Sequence, residues 1–120
     1  MQNEFRASQI VYLKHLNTSL YARVIQVVAE RQLCWVRPLM LAIAPEELLS
    51  DSEKPEVIDL RMSSDLLWPI DLFEPAVDTE TISLLIQLKT IDFANFDEDR
   101  ARACLHRFIQ GFWQSRNSRE

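Results

Sequence analysis

Leu33-Cys-Trp-Val-Arg-Pro-Leu-Met-Leu-Ala-Ile-Ala44 is the stretch on which the fold turns. Apolar side chains fill both alternating sets of positions, the pattern of a strand covered on both faces. Pro38 has no N–H to give a ladder, so the strand either lies at an edge or carries a bulge there. Downstream, Ile58, Leu60 and Met62 alternate with Asp59 and Arg61, which predicts a half-buried strand over 57–62. Ser63-Ser64-Asp65 supplies a turn, and Leu66 to Phe73 reads as a third extended segment, interrupted by Pro69. Together the three predict a small antiparallel meander.

Upstream of this sheet, Phe5, Tyr12, Leu16, Leu20, Val24 and Val27 or Val28 recur every three to four residues, the spacing of a helical stripe. Asn17-Thr18-Ser19 interrupts it with cap-favouring residues, so one long helix and two helices meeting at Thr18 both fit. Beyond the sheet, Asp78 or Thr79 caps a predicted helix over 80–89, with Ile82, Leu85 and Ile86 on its core side. After an aromatic linker, Ile91 to Phe96, a last helix starts near Asp97-Glu-Asp99 and runs to about Ser115. Its core stripe is Ala101, Cys104, Leu105, Phe108 and Phe112, and early acids with later arginines suit the helix dipole. Ala44 to Ser50 reads as a single helical turn before a polar loop ending at Pro55. The expected fold is α+β: an N-terminal helix or helix pair, a three-stranded antiparallel sheet, and two C-terminal helices on one face. One domain spans residues 1–115, and 116–120 form a polar tail.

The 120 residues suffice for one domain, and 48% hydrophobic with 26% charged residues is ordinary globular composition. Glycine is the anomaly: Gly111 stands alone where average usage of about 7% would place roughly eight. That shortage excludes Gly-rich phosphate cradles, dinucleotide fingerprints and glycine-flanked nucleophile elbows. Gly111 itself interrupts a helix at a cost of about 1 kcal/mol relative to alanine, which points to a close approach of another backbone, within the fold or between two copies.

The net charge of −5 argues against a nucleic-acid or anionic-membrane surface. Its distribution is uneven, with basic residues at both ends and acids crowded into residues 46–99. Such a pattern fits pairing within the fold or an acidic face for a basic partner segment. No apolar leader precedes Glu4, no apolar run reaches membrane length, and Cys34 and Cys104 lie in apolar surroundings. The expectation is a soluble cytoplasmic protein with reduced thiols.

Chemistry-bearing clusters are few. Cys104 and His106 are two apart on a helix and point about 200° apart, and no close Cys pair suits zinc, so neither metal nor cofactor is expected. Asp59, Asp71 and Arg37 are charges set in otherwise apolar segments. They read as structural ion pairs or, alternatively, as an Asp/Arg pocket of a small enzyme between sheet and helices. The aromatic load is heavy, and the candidate partner-binding residues are Trp35, Arg37, Trp68, Phe73, Phe93, Phe96 and Trp113. Apolar side chains framed by carboxylates suit a segment in which basic and apolar residues alternate, added as a strand beside an exposed edge. A non-catalytic adaptor or assembly chaperone is therefore the expected function. The enzyme, and a regulatory subunit dimerising through the last helix, are the alternatives.

Leu20-Tyr-Ala-Arg-Val-Ile-Gln-Val-Val-Ala-Glu-Arg-Gln-Leu-Cys-Trp-Val-Arg-Pro-Leu-Met-Leu41 and Ile58-Asp-Leu-Arg-Met-Ser-Ser-Asp-Leu-Leu-Trp-Pro69 resemble a small cyanobacterial family, that of the carboxysome assembly factors. The resemblance runs over most of the chain in its general sequence, without a chemical motif. It implies a single-domain α/β helper without catalysis that binds a terminal segment of a carboxysome shell protein, and it assigns no individual binding residue.

Overall fold

The computed structural model describes residues 5–45, 55–76, 79–92 and 96–117. β1 (Ile10–His15) and β2 (Thr18–Val28) form an antiparallel hairpin closed by the pair His15↔Thr18. A 3-10 turn, Ala29–Arg31, leads to β3 (Leu33–Ile43), which pairs with β2 along its whole length. The other edge of β3 is shared: β4 (Glu56–Asp59) takes Met40 to Ile43, and β5 (Leu66–Pro69) takes Leu33 to Val36. After a second 3-10 turn, Ile70–Leu72, the two-residue β6 (Glu74–Pro75) pairs with β1 at Val11 and Tyr12. The sheet therefore has six strands in the order β4-β3-β2-β1-β6, with β5 beside β4 on the edge of β3. Two helices complete the described chain, α1 (Thr79–Lys89) and α2 (Glu98–Asn117).

Three sequence expectations are corrected. The N-terminal helix is a β-hairpin. A spacing of four residues is also a multiple of two, so Leu20 and Val24 share a strand face as readily as a helix face. What separates the two readings is residue type: Ile10-Val-Tyr and Val24-Ile-Gln-Val-Val28 are β-branched or aromatic, and they sit better on a pleated surface than in a helix. The cap-like triplet marks the turn between the strands. Asn17 there receives the Ala44 N–H at 2.8 Å and donates its side-chain amide to the Ala44 carbonyl at 2.8 Å, tying the hairpin tip to the end of β3. In a chain with one glycine, left-handed positions fall to other residues, and Ser8, Leu16 and Gln32 take φ of 74°, 57° and 57°.

The sheet is six-stranded and not a three-stranded meander. All three segments contain strands, but the second ends at Asp59, short of the expected Met62, where Leu60–Ser63 form a turn, and the third ends at Pro69 before the 3-10 turn. β4 and β5 never pair with each other, because β3 is long enough to hold both end to end. The predicted irregularity at Pro38 is found: the register with β2 slips between Met40↔Tyr21 and Ala22↔Pro38. The extra residue, Leu39, shifts the facing parity of β3, so Cys34 and Val36 before it and Leu41 after it all join the same core.

The helices lie on opposite faces of the sheet instead of sharing one. Against α2 pack Val11, Leu13, Leu20, Val24, Cys34, Val36, Leu41, Ile58 and Phe73, meeting Ala101, Phe108 and Phe112. Against α1 pack Tyr21, Leu39, Met40 and Ala42, meeting Leu84 and Leu88. This double coverage is why β2 and β3 read as nearly unbroken apolar runs. The face of α1 also differs from expectation: Thr81, Leu84 and Leu88 are buried, whereas Ile82 and Ile86 are 59% and 61% exposed. The helix is apolar on more than one side, so periodicity could not choose its buried face. The last helix continues through Asn117, beyond the expected end near Ser115. The expected helical turn at 46–50, the Asp78 cap and Phe93 lie outside the described residues.

Candidate functional site

Each edge of the sheet ends differently. On one side, β6 covers Val11 and Tyr12 of β1. On the other, the start of α2 lies beside β4, where Arg100 forms an ion pair with Glu56. β4, β5 and β6 each pair with one strand among the described residues, and β5 pairs only with β3. The Ile70 N–H donates to the Gln32 carbonyl at 2.9 Å, one step past the pair Leu33↔Pro69. Antiparallel alternation from that bond turns the backbone groups of Leu66 and Trp68 toward β3 and leaves the N–H and C=O of Leu67 pointing outward. Pro69, next in the outward set, has no N–H to leave unpaired, which is the usual place for proline in a sheet.

Side chains on both faces of this edge suit an extended segment. Toward α2, a groove of about 410 Å³ is lined by Met62, Leu66, Phe96, Ala101, Leu105 and Ile109, with Ser63, Ser64 and the Glu98–Arg102 ion pair also in its wall. On the opposite face, beyond the reach of α1, Leu67 is 55% exposed and stands in register with the exposed Trp35. Two residues along, Asp65 meets Arg37. The carboxylate accepts from Arg37 Nε at 3.0 Å, from Arg37 Nη2 at 3.2 Å and from Trp35 Nε1 at 2.9 Å. The Arg37 hydrogen bonds and the Trp35 indole hold the Asp65 carboxyl below its ordinary value. They also fix the rotamers of two residues that would otherwise move freely on an open face.

The partner-binding candidates divide accordingly. Trp35 and Arg37 lie on the open face beside β5. Phe96 lines the groove on the other side. Trp68, Phe73 and Trp113 instead hold α2 to the sheet. The Trp68 ring stacks with Phe73 and Phe112 at centroid distances of 6.4 and 6.2 Å, and Trp113 meets it edge-on at 5.4 Å. Phe73 is 0% exposed and has no surface to present to a partner. Residue-type reasoning missed Asp65, Leu66, Leu67, Leu105 and Ile109. Pro69 was the available signal, because a proline inside a strand marks an edge.

The alternative Asp/Arg pocket does not assemble. Asp59 binds Arg61, accepting its backbone N–H at 2.9 Å, Nε at 3.0 Å and Nη2 at 2.8 Å. Burial alone would raise the Asp59 carboxyl, but the Arg61 hydrogen bonds and charge outweigh it and keep the group below its usual range. Arg61 Nη2 also reaches the Leu88 carbonyl at 3.4 Å, linking the end of β4 to the end of α1. Asp71 sits exposed on the 3-10 turn, in a recess with Lys14, His15 and Arg116. Arg37 is engaged by Asp65, so the three residues proposed for one pocket occupy three places.

The remaining marked residues have structural surroundings. Cys34 is a buried free thiol whose pKa burial pushes up, and Cys104 is half-buried. The close neighbour of Gly111 is a side chain and not a backbone: an added Cβ would lie 3.4 Å from His15 Nε2. His15 in turn packs edge-on against Phe108 and Phe112 at 6.3 and 6.2 Å. A further recess of about 660 Å³ opens beside the hairpin tip, lined by Tyr12, Lys14, Tyr21 and Glu80 among others. Among the described residues, no three His, Cys, Asp or Glu side chains gather as a metal would require, and no helix is long and apolar enough to cross a membrane.

No protein-family model matches the chain, and neither the curated proteins nor the solved structures contain a match to it.

Proposed function

We propose that this protein is a non-catalytic binding domain that holds a short extended segment of a partner protein by strand addition at β5. The observation that carries the reading is the outward-facing backbone of Leu67, unpaired by any described strand and flanked on one face by a groove walled largely by Leu66, Leu105 and Ile109 and on the other by Leu67 and Trp35. Main-chain hydrogen bonds to such an edge supply affinity, and alternate side chains entering flanking pockets supply selectivity. The resemblance to the carboxysome assembly-factor family suggests one source of the segment, the terminus of a carboxysome shell protein.

The test is a titration of ¹⁵N-labelled protein with synthetic eight-residue peptides of alternating apolar sequence and, separately, with shell-protein terminal peptides. Binding at β5 shifts the Leu67 amide and slows its hydrogen exchange. Leu67→Pro removes the outward N–H while leaving the Leu66 and Trp68 bonds to β3 in place, and Ile109→Glu puts a charge into the groove. Both variants should lose binding while keeping the wild-type tryptophan fluorescence. Peptides that bind Leu67→Pro and Ile109→Glu as tightly as wild type refute the edge as the site.

A further inference from the structure

Building on the strand-addition reading, we infer that the segment held at β5 carries, from N to C terminus, an apolar residue, an aliphatic residue and a basic residue in succession. The order follows from what each row of the sheet presents at its open end. Every pair in this sheet is antiparallel, and antiparallel pairing is slightly more stable per residue than parallel, so the added strand runs opposite to β5. The first of the three residues then lies opposite Leu67, on the open face. There it extends the row Gln26, Trp35, Leu67, whose last two members are exposed and apolar. An apolar side chain at this position covers both.

The next residue falls opposite Leu66 and points to the other face, toward α2. Leu66, Met62, Phe96, Leu105 and Ile109 give the groove its apolar wall beside the Glu98–Arg102 pair, and the space of about 410 Å³ admits a branched aliphatic side chain.

The third residue returns to the open face, opposite Asp65. A carboxylate offers about four acceptor sites, and Arg37 and Trp35 fill three of those on Asp65. The fourth is free for a donor arriving from the edge. An acidic side chain at this position would stand directly opposite Asp65, an arrangement that destabilises cross-strand pairs, whereas a lysine or arginine would be drawn to it. The row would then read Arg23, Arg37, Asp65 and a cation, and Asp65 would lie between positive groups.

The experiment measures fluorescence-polarisation affinities of labelled peptides built around Val-Leu-Lys, with Gln and Glu replacing Lys, the order reversed, and the sequence scrambled. In wild type, the Lys peptide should bind about fivefold or more tightly than the Glu peptide, with Gln between them. Added salt should reduce that ratio. In Asp65→Asn the ratio should fall toward one. The peptide series leaves the protein unchanged, so the inference stands or falls on wild type even where Asp65→Asn folds poorly. Equal affinities for Lys, Gln and Glu, or tighter binding of the reversed order, overturn the inference and leave strand addition standing. Absence of binding by every peptide, or a β5-mediated dimer in sedimentation that no peptide displaces, overturns the strand-addition reading itself.

Discussion

Asp59→Asn tests how the described charges are used, since one reading makes Asp59 a reactive group and the structure makes it a tie. The Asp59 side chain is 3% exposed and that of Arg61 is 29% exposed. Three Arg61 donors end on the Asp59 carboxylate at 2.8 to 3.0 Å; asparagine with its oxygen at the Oδ1 position keeps the backbone and Nε bonds but loses the Nη2 bond and the negative charge. Removing one partner from a fully buried pair costs about 3–5 kcal/mol. Arg61 keeps access to water and can be resolvated, and asparagine fills the same volume, so about 2 kcal/mol is expected here. With a urea slope of about 2 kcal/mol per molar, the unfolding midpoint should drop by about 1 M at pH 7.

The pH dependence has a definite sign. The folded-state Asp59 carboxyl titrates below its ordinary value near 3.8, so the unfolded state takes up its proton first as acid is added. Its stabilisation is fully present above the unfolded value and is lost as pH falls through the folded one. The gap between wild type and Asp59→Asn should therefore hold steady from pH 7 to about 5 and narrow below about 4. A gap under about 0.5 kcal/mol at pH 7, or one that does not narrow in acid, refutes the reasoning. Peptide binding should be unchanged in this variant at pH 7, because Asp59 lies away from the β5 edge.

Two further substitutions separate the structure from the periodicity. Ile82→Ser and Ile86→Ser should each change stability by less than about 0.5 kcal/mol, whereas Leu84→Ala should cost about 2–4 kcal/mol in the same denaturation assay. The reverse ranking would show that α1 buries its other face. Gly111→Ala should raise stability by up to about 1 kcal/mol, because alanine is the better helix former and its methyl would meet His15 at an ordinary contact distance of 3.4 Å. A thermal midpoint lower than that of wild type would show that the His15 contact cannot yield.

Several features were legible in the residues alone. Leu33 to Ile43 had to be a strand buried on both faces, and of the two places Pro38 allowed, an edge or a bulge, the structure takes the bulge at Leu39. The last helix, its stripe through Phe108 and Phe112, and the existence of strands at Ile58 and Leu66 were likewise fixed by local pattern. These are cases in which one periodicity fits and the alternatives fail. The N-terminal segment was not such a case, since a four-residue spacing satisfies both a helix and a strand. Only pairing with β3 along ten registered positions made β2 a strand.

The candidate site shows the same division. Trp35, Arg37 and Phe96 were visible as unusual residues, but Asp65 looked like an ordinary turn residue and Leu67 like one leucine of a pair. Their roles depend on β3 being long enough to carry β4 and β5 end to end, which leaves β5 unpaired on its far side among the described residues. An open edge is a property of which strands meet, and no local pattern encodes a partner that is absent. Residue types therefore determined that β3 is a strand covered on both faces, while tertiary pairing alone decided that the helices take opposite faces, where the sheet ends and what stands beside its edge.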